Sequence, residues 1–101
     1  MTEPLVFDGP EGSITLTAAA LTDLVAGAAR SVEGVRLRRP RRSIEIQHGD
    51  GRASASLDLV APHGESLAEL AHAVQERVGR ALAAVSGLEV ERVDVEIAEI
   101  A

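Results

Sequence analysis

The stretch Glu65–Ile97, ESLAELAHAVQERVGRALAAVSGLEVERVDVEI, carries a helix start, a helix stop and a strand in one unbroken run. Ser66 stands three residues before Glu69, the spacing of a capping box, in which the hydroxyl and the carboxylate each satisfy a free backbone N–H. Leu67, Leu70, Ala71, Val74, Val78, Ala81, Leu82 and Val85 then recur at offsets of three and four. That spacing gathers them on one helical face, which is the expected core face. Glu69, Gln75, Glu76, Arg77 and Arg80 fall elsewhere, with Glu76 and Arg80 set as an i,i+4 pair worth about 0.3–0.5 kcal/mol. Gly87 can adopt the left-handed conformation that closes a helix. Beyond it Val93, Val95 and Ile97 alternate with Arg92, Asp94 and Glu96, the period of a strand buried on one side.

Working outward, Ser43–His48 sets Ile44 and Ile46 against Glu45 and Gln47, while Ala53, Ala55, Leu57 and Leu59 alternate with Ser54, Ser56 and Asp58. Between them His48-Gly49-Asp50-Gly51 has the residues of a tight hairpin turn. Gly12–Leu16 predicts a first strand with Ile14 and Leu16 facing inward. Thr17 is a good N-cap for a first helix striped by Leu21, Leu24, Val25, Ala28 and Val32, with Gly34 as its stop. Residues 1–11, with Pro4, Gly9 and Pro10 around Leu5-Val6-Phe7, form a flexible tail or a short edge strand, and residues 12–101 are expected to be a single domain. The order βαββαβ predicts an α+β two-layer sandwich, in which two helices cover one face of a four-stranded sheet. The other face would then be polar, carrying Glu45, Gln47, Ser54, Ser56, Asp58, Arg92, Asp94 and Glu96.

The chain has 101 residues and a net charge of −6, enough for one modest core. Phe7 is its only aromatic residue, so alanine, valine and leucine must pack closely. There is no cysteine, which removes disulfides, thiolate catalysis and Cys-type zinc sites. No apolar run reaches the roughly 18 residues of a membrane span, and MTEPLVFDGP lacks the basic start of a signal peptide, so a chain soluble by itself is expected.

Against the acidic background, Arg36-Leu37-Arg38-Arg39-Pro40-Arg41-Arg42 places five of the ten basic residues in seven positions. Such a run suits an acidic protein surface, an anionic headgroup or phosphate, or simply a solvated loop. Nucleic-acid binding through this loop is the alternative function, opposed by the absence of aromatics for base stacking on the polar sheet face and by its carboxylates. His72 with Glu76, and His63 with Glu65, supply fewer ligands than the three or four of a zinc site, so no metal or other cofactor is expected. Ser54, Ser56, Ser66 and Ser86 are explained by strand, cap and helix-end positions, and no triad is legible. Gly49-Asp50-Gly51 lies between strands, where a phosphate-cradling loop would precede a helix. The chain reads as non-enzymatic.

Ile14-Thr15-Leu16-Thr17, Ala26-Gly27-Ala28 with Val32-Glu33-Gly34-Val35, Leu67 to Val78, and Gly87-Leu88-Glu89-Val90 followed by Val93-Asp94-Val95 together resemble the alkaline shock protein family of bacterial envelope stress response proteins. The resemblance runs from about Gly12 to Ile100. It implies a non-enzymatic cytoplasmic protein of envelope homeostasis, able to associate with copies of itself and held near the membrane by a separate membrane-anchor protein. It brings no site residues with it. Arg36, Arg38, Arg39, Arg41 and Arg42 are therefore the expected partner-binding residues, on charge alone.

Overall fold

The computed structural model describes residues 2–39 and 42–101. Its elements in chain order are β1 (Leu5–Gly9), β2 (Gly12–Leu16), α1 (Ala18–Arg30), β3 (Arg36–Leu37), β4 (Ile44–Gly49), β5 (Arg52–Ala61), α2 (Leu67–Ser86) and β6 (Glu89–Ile100). The architecture is α+β in two layers, a four-stranded sheet beneath two helices that share one core.

The central strand is β5. Along one edge it pairs with β6 in parallel, the two joined by the crossover helix α2. Along the other edge it pairs antiparallel with both β4 and β3. The Gly49–Arg52 hairpin turns as expected, with Asp50 at φ 51° and Gly51 at φ 76°, two consecutive left-handed residues that match the twist of the strands. Ile44, Ile46, Ala53, Ala55, Leu57 and Leu59 point into the core against Leu21, Val25, Val74, Val78 and Leu82. Glu45, Gln47, Ser56, Arg92, Asp94 and Glu96 are exposed on the opposite face, with Ser54 and Asp58 half-buried, so one face of the sheet is open and polar.

Several local expectations are corrected. Gly12–Leu16 does not join the main sheet. It pairs with Leu5–Gly9 in a separate hairpin, Leu5 opposite Leu16 and Phe7 opposite Ile14. The chain reversal at Pro10-Glu11 supplies a local partner, and the outer side of β4 is already met by the N-terminal segment, where the Ile46 N–H donates to Thr2 Oγ1 at 3.0 Å. The place in the sheet goes to β3. Leu16 is half-buried against the core, but Ile14 is 66 % exposed.

Thr17 caps α1 as expected, accepting the Ala20 N–H at 3.1 Å. That helix ends at Arg30, before the expected Gly34 stop, because Ser31 takes the C-cap and its hydroxyl turns back onto the Ala28 carbonyl at 2.6 Å. Val32 is buried just beyond the helix. Ser66 holds the N-cap position of α2 but its side chain makes no cap hydrogen bond, so the capping box is not formed. At the other end Gly87 is left-handed, φ 69°, and donates its N–H to Ala83. The buried row of α2 is Leu70, Val74, Val78, Leu82 and Ser86. Steps of four advance the row around the helix, so Val85 lies outside it and Ser86 inside, its hydroxyl donated to the Leu82 carbonyl at 2.6 Å.

Candidate partner surface

The arginine-rich segment is an excursion from a single interrupted edge strand. Arg36 faces Val60 and Leu37 faces Leu59, and on the far side of the excursion Ile44 faces Leu57. Asp58 between them is bracketed from both ends: its carbonyl accepts the Arg38 N–H at 3.3 Å and its own N–H donates to the Ser43 carbonyl at 2.9 Å. The neck is closed by buried Ser43, whose hydroxyl accepts the Arg39 N–H at 2.6 Å and whose N–H donates to the Arg39 carbonyl at 3.0 Å. β3 and β4 are thus two collinear pieces of one strand, and the sheet is three strands wide.

Arg36, Arg38, Arg39 and Arg42 are exposed. Arg41, with Pro40, lies outside the described residues. Ion pairs among the described residues link Arg52 to Glu91, Arg80 to Glu76 and Arg92 to Asp94. Arg36, Arg38, Arg39 and Arg42 take part in none of these pairs, and the backbone of Arg36, Arg38 and Arg39 is held at the edge of the sheet.

The open sheet face is a second surface. Glu45, Gln47, Ser54, Ser56, Arg92 and Asp94 line a shallow depression of about 290 Å³. Among these lining residues the cation Arg92 is paired with Asp94 at 2.7 Å. Arg77, expected only on a polar helical face, instead ties the two helices together by donating to the Ser31 carbonyl at 2.6 Å at the C-terminus of α1. There it meets the negative end of the helix dipole. Two of the imidazole rings have polar contacts: His48 Nε2 lies 3.0 Å from the Glu3 carbonyl and His72 Nδ1 lies 3.2 Å from Gln75 Oε1. For His63 it is the backbone N–H that bonds, donating to the Ala101 carbonyl. Among the described residues no three of His, Asp and Glu converge as a metal site, and no helix is long and apolar enough to cross a membrane.

A family model for the Asp23 family, described as having a cell envelope-related function, matches residues 36–101. The chain belongs to this family. It is the alkaline shock protein family that the sequence resembles. The matched region begins at β3 and takes in the arginine segment, the whole four-stranded sheet and α2, while the N-terminal hairpin and α1 precede it. A comparison with curated protein sequences finds no significant match. Among solved structures the chain is similar to the nickel form of an aspartate-to-asparagine variant of the MamM CTD, at 20 % identity and a TM-score of 0.54, covering 80 % of this chain and 96 % of that one. It is equally similar to a glutamate-to-alanine variant of the MamM CTD and to the cadmium form of a histidine-to-aspartate variant, both at 21 % identity and a TM-score of 0.54. Each covers 80 % of this chain, with 96 % and 94 % of those chains respectively. At such identity the likeness is one of fold.

Proposed function

We propose that this Asp23-family chain is a non-catalytic contact module of the cell envelope, with residues 12–101 as its working domain. In this reading Arg36, Arg38, Arg39, Arg41 and Arg42 are the electrostatic handle by which an acidic surface of a membrane-anchor partner recruits it, leaving it peripheral to the membrane. The observation that carries the reading is the pinned excursion. A solvated loop needs no fixed neck, whereas here Ser43 and Asp58 anchor both sides of a five-arginine segment on the edge of the sheet. A fixed neck, with Arg36, Arg38 and Arg39 held at the sheet edge, lowers the ordering entropy that these residues would otherwise lose on binding. The family's cell envelope-related function gives the setting, and the match includes the whole arginine segment.

The test is co-purification of the tagged chain from its native cells after solubilising membranes and adding nuclease. Recovery of a small membrane protein is expected, together with its loss when Arg38, Arg39, Arg41 and Arg42 are replaced by serine without a change in thermal unfolding. Unchanged recovery by that variant would remove the arginine segment from the interface. Recovery of nucleic acid alone, in a parallel run without nuclease and lost steeply as salt is raised, would replace the proposal with nucleic-acid binding.

A further inference from the structure

The last strand leaves one edge of the sheet open. Among the described residues β6 pairs with β5 alone, whereas β4, on the opposite side, is met by the N-terminal segment at Ile46. The parallel register of β6 skips Glu91 and Ala98, two bulges that frame a regular run, Arg92–Ile97. Within such a run alternate residues turn both N–H and C=O to the same side. Gln75 of α2 donates its Nε2 to the Val93 carbonyl at 3.0 Å, so Val93 is turned away from β5. By alternation Val95 and Ile97 are turned away as well, and among the described residues no strand takes their N–H and C=O groups.

The core is also unfinished at this edge. Ile46, Leu57 and Leu59 on β4 and β5 are buried, but Val90, Val93, Val95 and Ile97 on β6 are only half-buried. Between α2 and β6 lies a groove of about 440 Å³, with Gly79, Ala83, Val90 and Val93 as its apolar floor. Charge narrows what can lie there. β6 exposes Glu89, Glu91, Asp94, Glu96 and Glu99, and its one cation, Arg92, is paired with Asp94 at 2.7 Å. Charges and bulges keep an open edge from pairing indiscriminately. Here the charge is of one sign, so it also selects: two β6 strands laid together would set acid against acid, while a basic strand is attracted.

We propose that β6 is the docking edge for an extended segment of another protein, about six residues long, in which apolar side chains alternate with lysine or arginine. The segment adds a strand along Arg92–Ile97. Its backbone bonds the outward groups of Val95 and Ile97, its apolar side chains complete the cover of Val93, Val95 and Ile97, and its cations stand beside Asp94 and Glu96. This partner is basic where the arginine segment calls for an acidic one, so the inference goes beyond that reading and does not rest on it.

The probe is an end-blocked peptide of about eight residues alternating valine with lysine, titrated into the full-length isotope-labelled chain and followed by amide NMR. Saturable binding is expected, with slowed hydrogen exchange at the Val95 and Ile97 amides and shifts at Gly79 and Ala83. The same composition in scrambled order, and the same peptide with its backbone N–H groups methylated, should each bind at least tenfold more weakly. These two controls leave the protein untouched. Asp94→Lys with Glu96→Lys, at exposed positions, should keep native circular dichroism, lose the lysine peptide at least tenfold and gain a valine–glutamate peptide that wild type ignores. No saturable binding up to about 1 mM would overturn the proposal. So would equal binding of the scrambled or methylated peptide, shifts that fall outside β6 and its groove, or a charge-reversed chain that still takes the lysine peptide. Protection of Val95 and Ile97 in the free chain that grows with its own concentration would put a second copy on the edge, and would overturn it too.

Discussion

Removing residues 39–43 should leave a folded domain at least as stable as the parent. From Leu37 to Ile44 the edge advances seven residues while its partner β5 moves back two, from Leu59 to Leu57, so five residues are surplus. Their deletion joins Arg38 to Ile44 with alternation intact: Leu37 inward, Arg38 outward opposite Asp58, Ile44 inward. The hydrogen bonds lost between Arg39 and Ser43 leave with both partners, and the Asp58 N–H can take the Arg38 carbonyl in place of that of Ser43. Closing a five-residue loop costs about 1.4 kcal/mol in chain entropy. The deletion variant is therefore expected to be unchanged or up to about 1–2 kcal/mol more stable, a rise of up to roughly 8–10 °C for a domain of this size. Deleting residues 38–43 is the control. It places Leu37 next to Ile44, and a one-residue slip must turn one set of inward side chains to solvent. Since Ile44 and Ile46 are both buried, that variant should lose about 2 kcal/mol or more relative to the first. Urea unfolding followed by circular dichroism measures both. A five-residue deletion that costs more than about 2 kcal/mol, or equal stability of the two variants, would refute the interrupted-strand description. The stable variant also lacks Arg39, Arg41 and Arg42, and so gives a folded chain in which to measure recruitment without most of the handle.

Thr17→Ala should cost about 1 kcal/mol, since its hydroxyl accepts a helix N–H, whereas Ser66→Ala at the start of α2 should change the denaturation midpoint little. Leu82→Ala should lose about 2–5 kcal/mol, while Val85→Ser, 45 % exposed three residues later, should stay within about 0.5 kcal/mol, which chemical denaturation resolves easily. Gly34→Ala combines a φ of 87° with a new Cβ only 3.0 Å from Pro62 Cγ, and should lower stability by at least about 1 kcal/mol in the same assay.

Much of the fold was legible because its signals are local. The alternation of Ile44 to Gln47 and of Ala53 to Leu59, the residues of the Gly49–Arg52 turn and the apolar stripe of α2 each fit within one element. The misplaced details depend on competition between elements. Gly12–Leu16 reads equally well as a strand of the main sheet or of a private hairpin, and only the nearness of Leu5–Gly9 decides it. β3 gives just one inward residue, Leu37, too short a pattern to stand out beside the arginines. Val85 and Ser86 exchange places because the direction in which α2 crosses its neighbours sets which residues the last turn buries.

The candidate site divides along the same line. Charge clustering in Arg36–Arg42 is visible in the sequence, as is the polar face of the sheet, because both follow from composition and period. That the cluster is an excursion from the sheet edge comes from the bonds of Arg38 and Ser43 to Asp58, 20 and 15 positions away, which no local pattern encodes. The sequence by itself determined the two helices, the strands β2, β4, β5 and β6 and most of their apolar positions, since period and turn chemistry act over a few residues. The tertiary structure alone decided which strand neighbours which, where the arginine excursion leaves the sheet and that the first hairpin pairs apart from it, because those depend on which of several equally hydrophobic edges and faces come together.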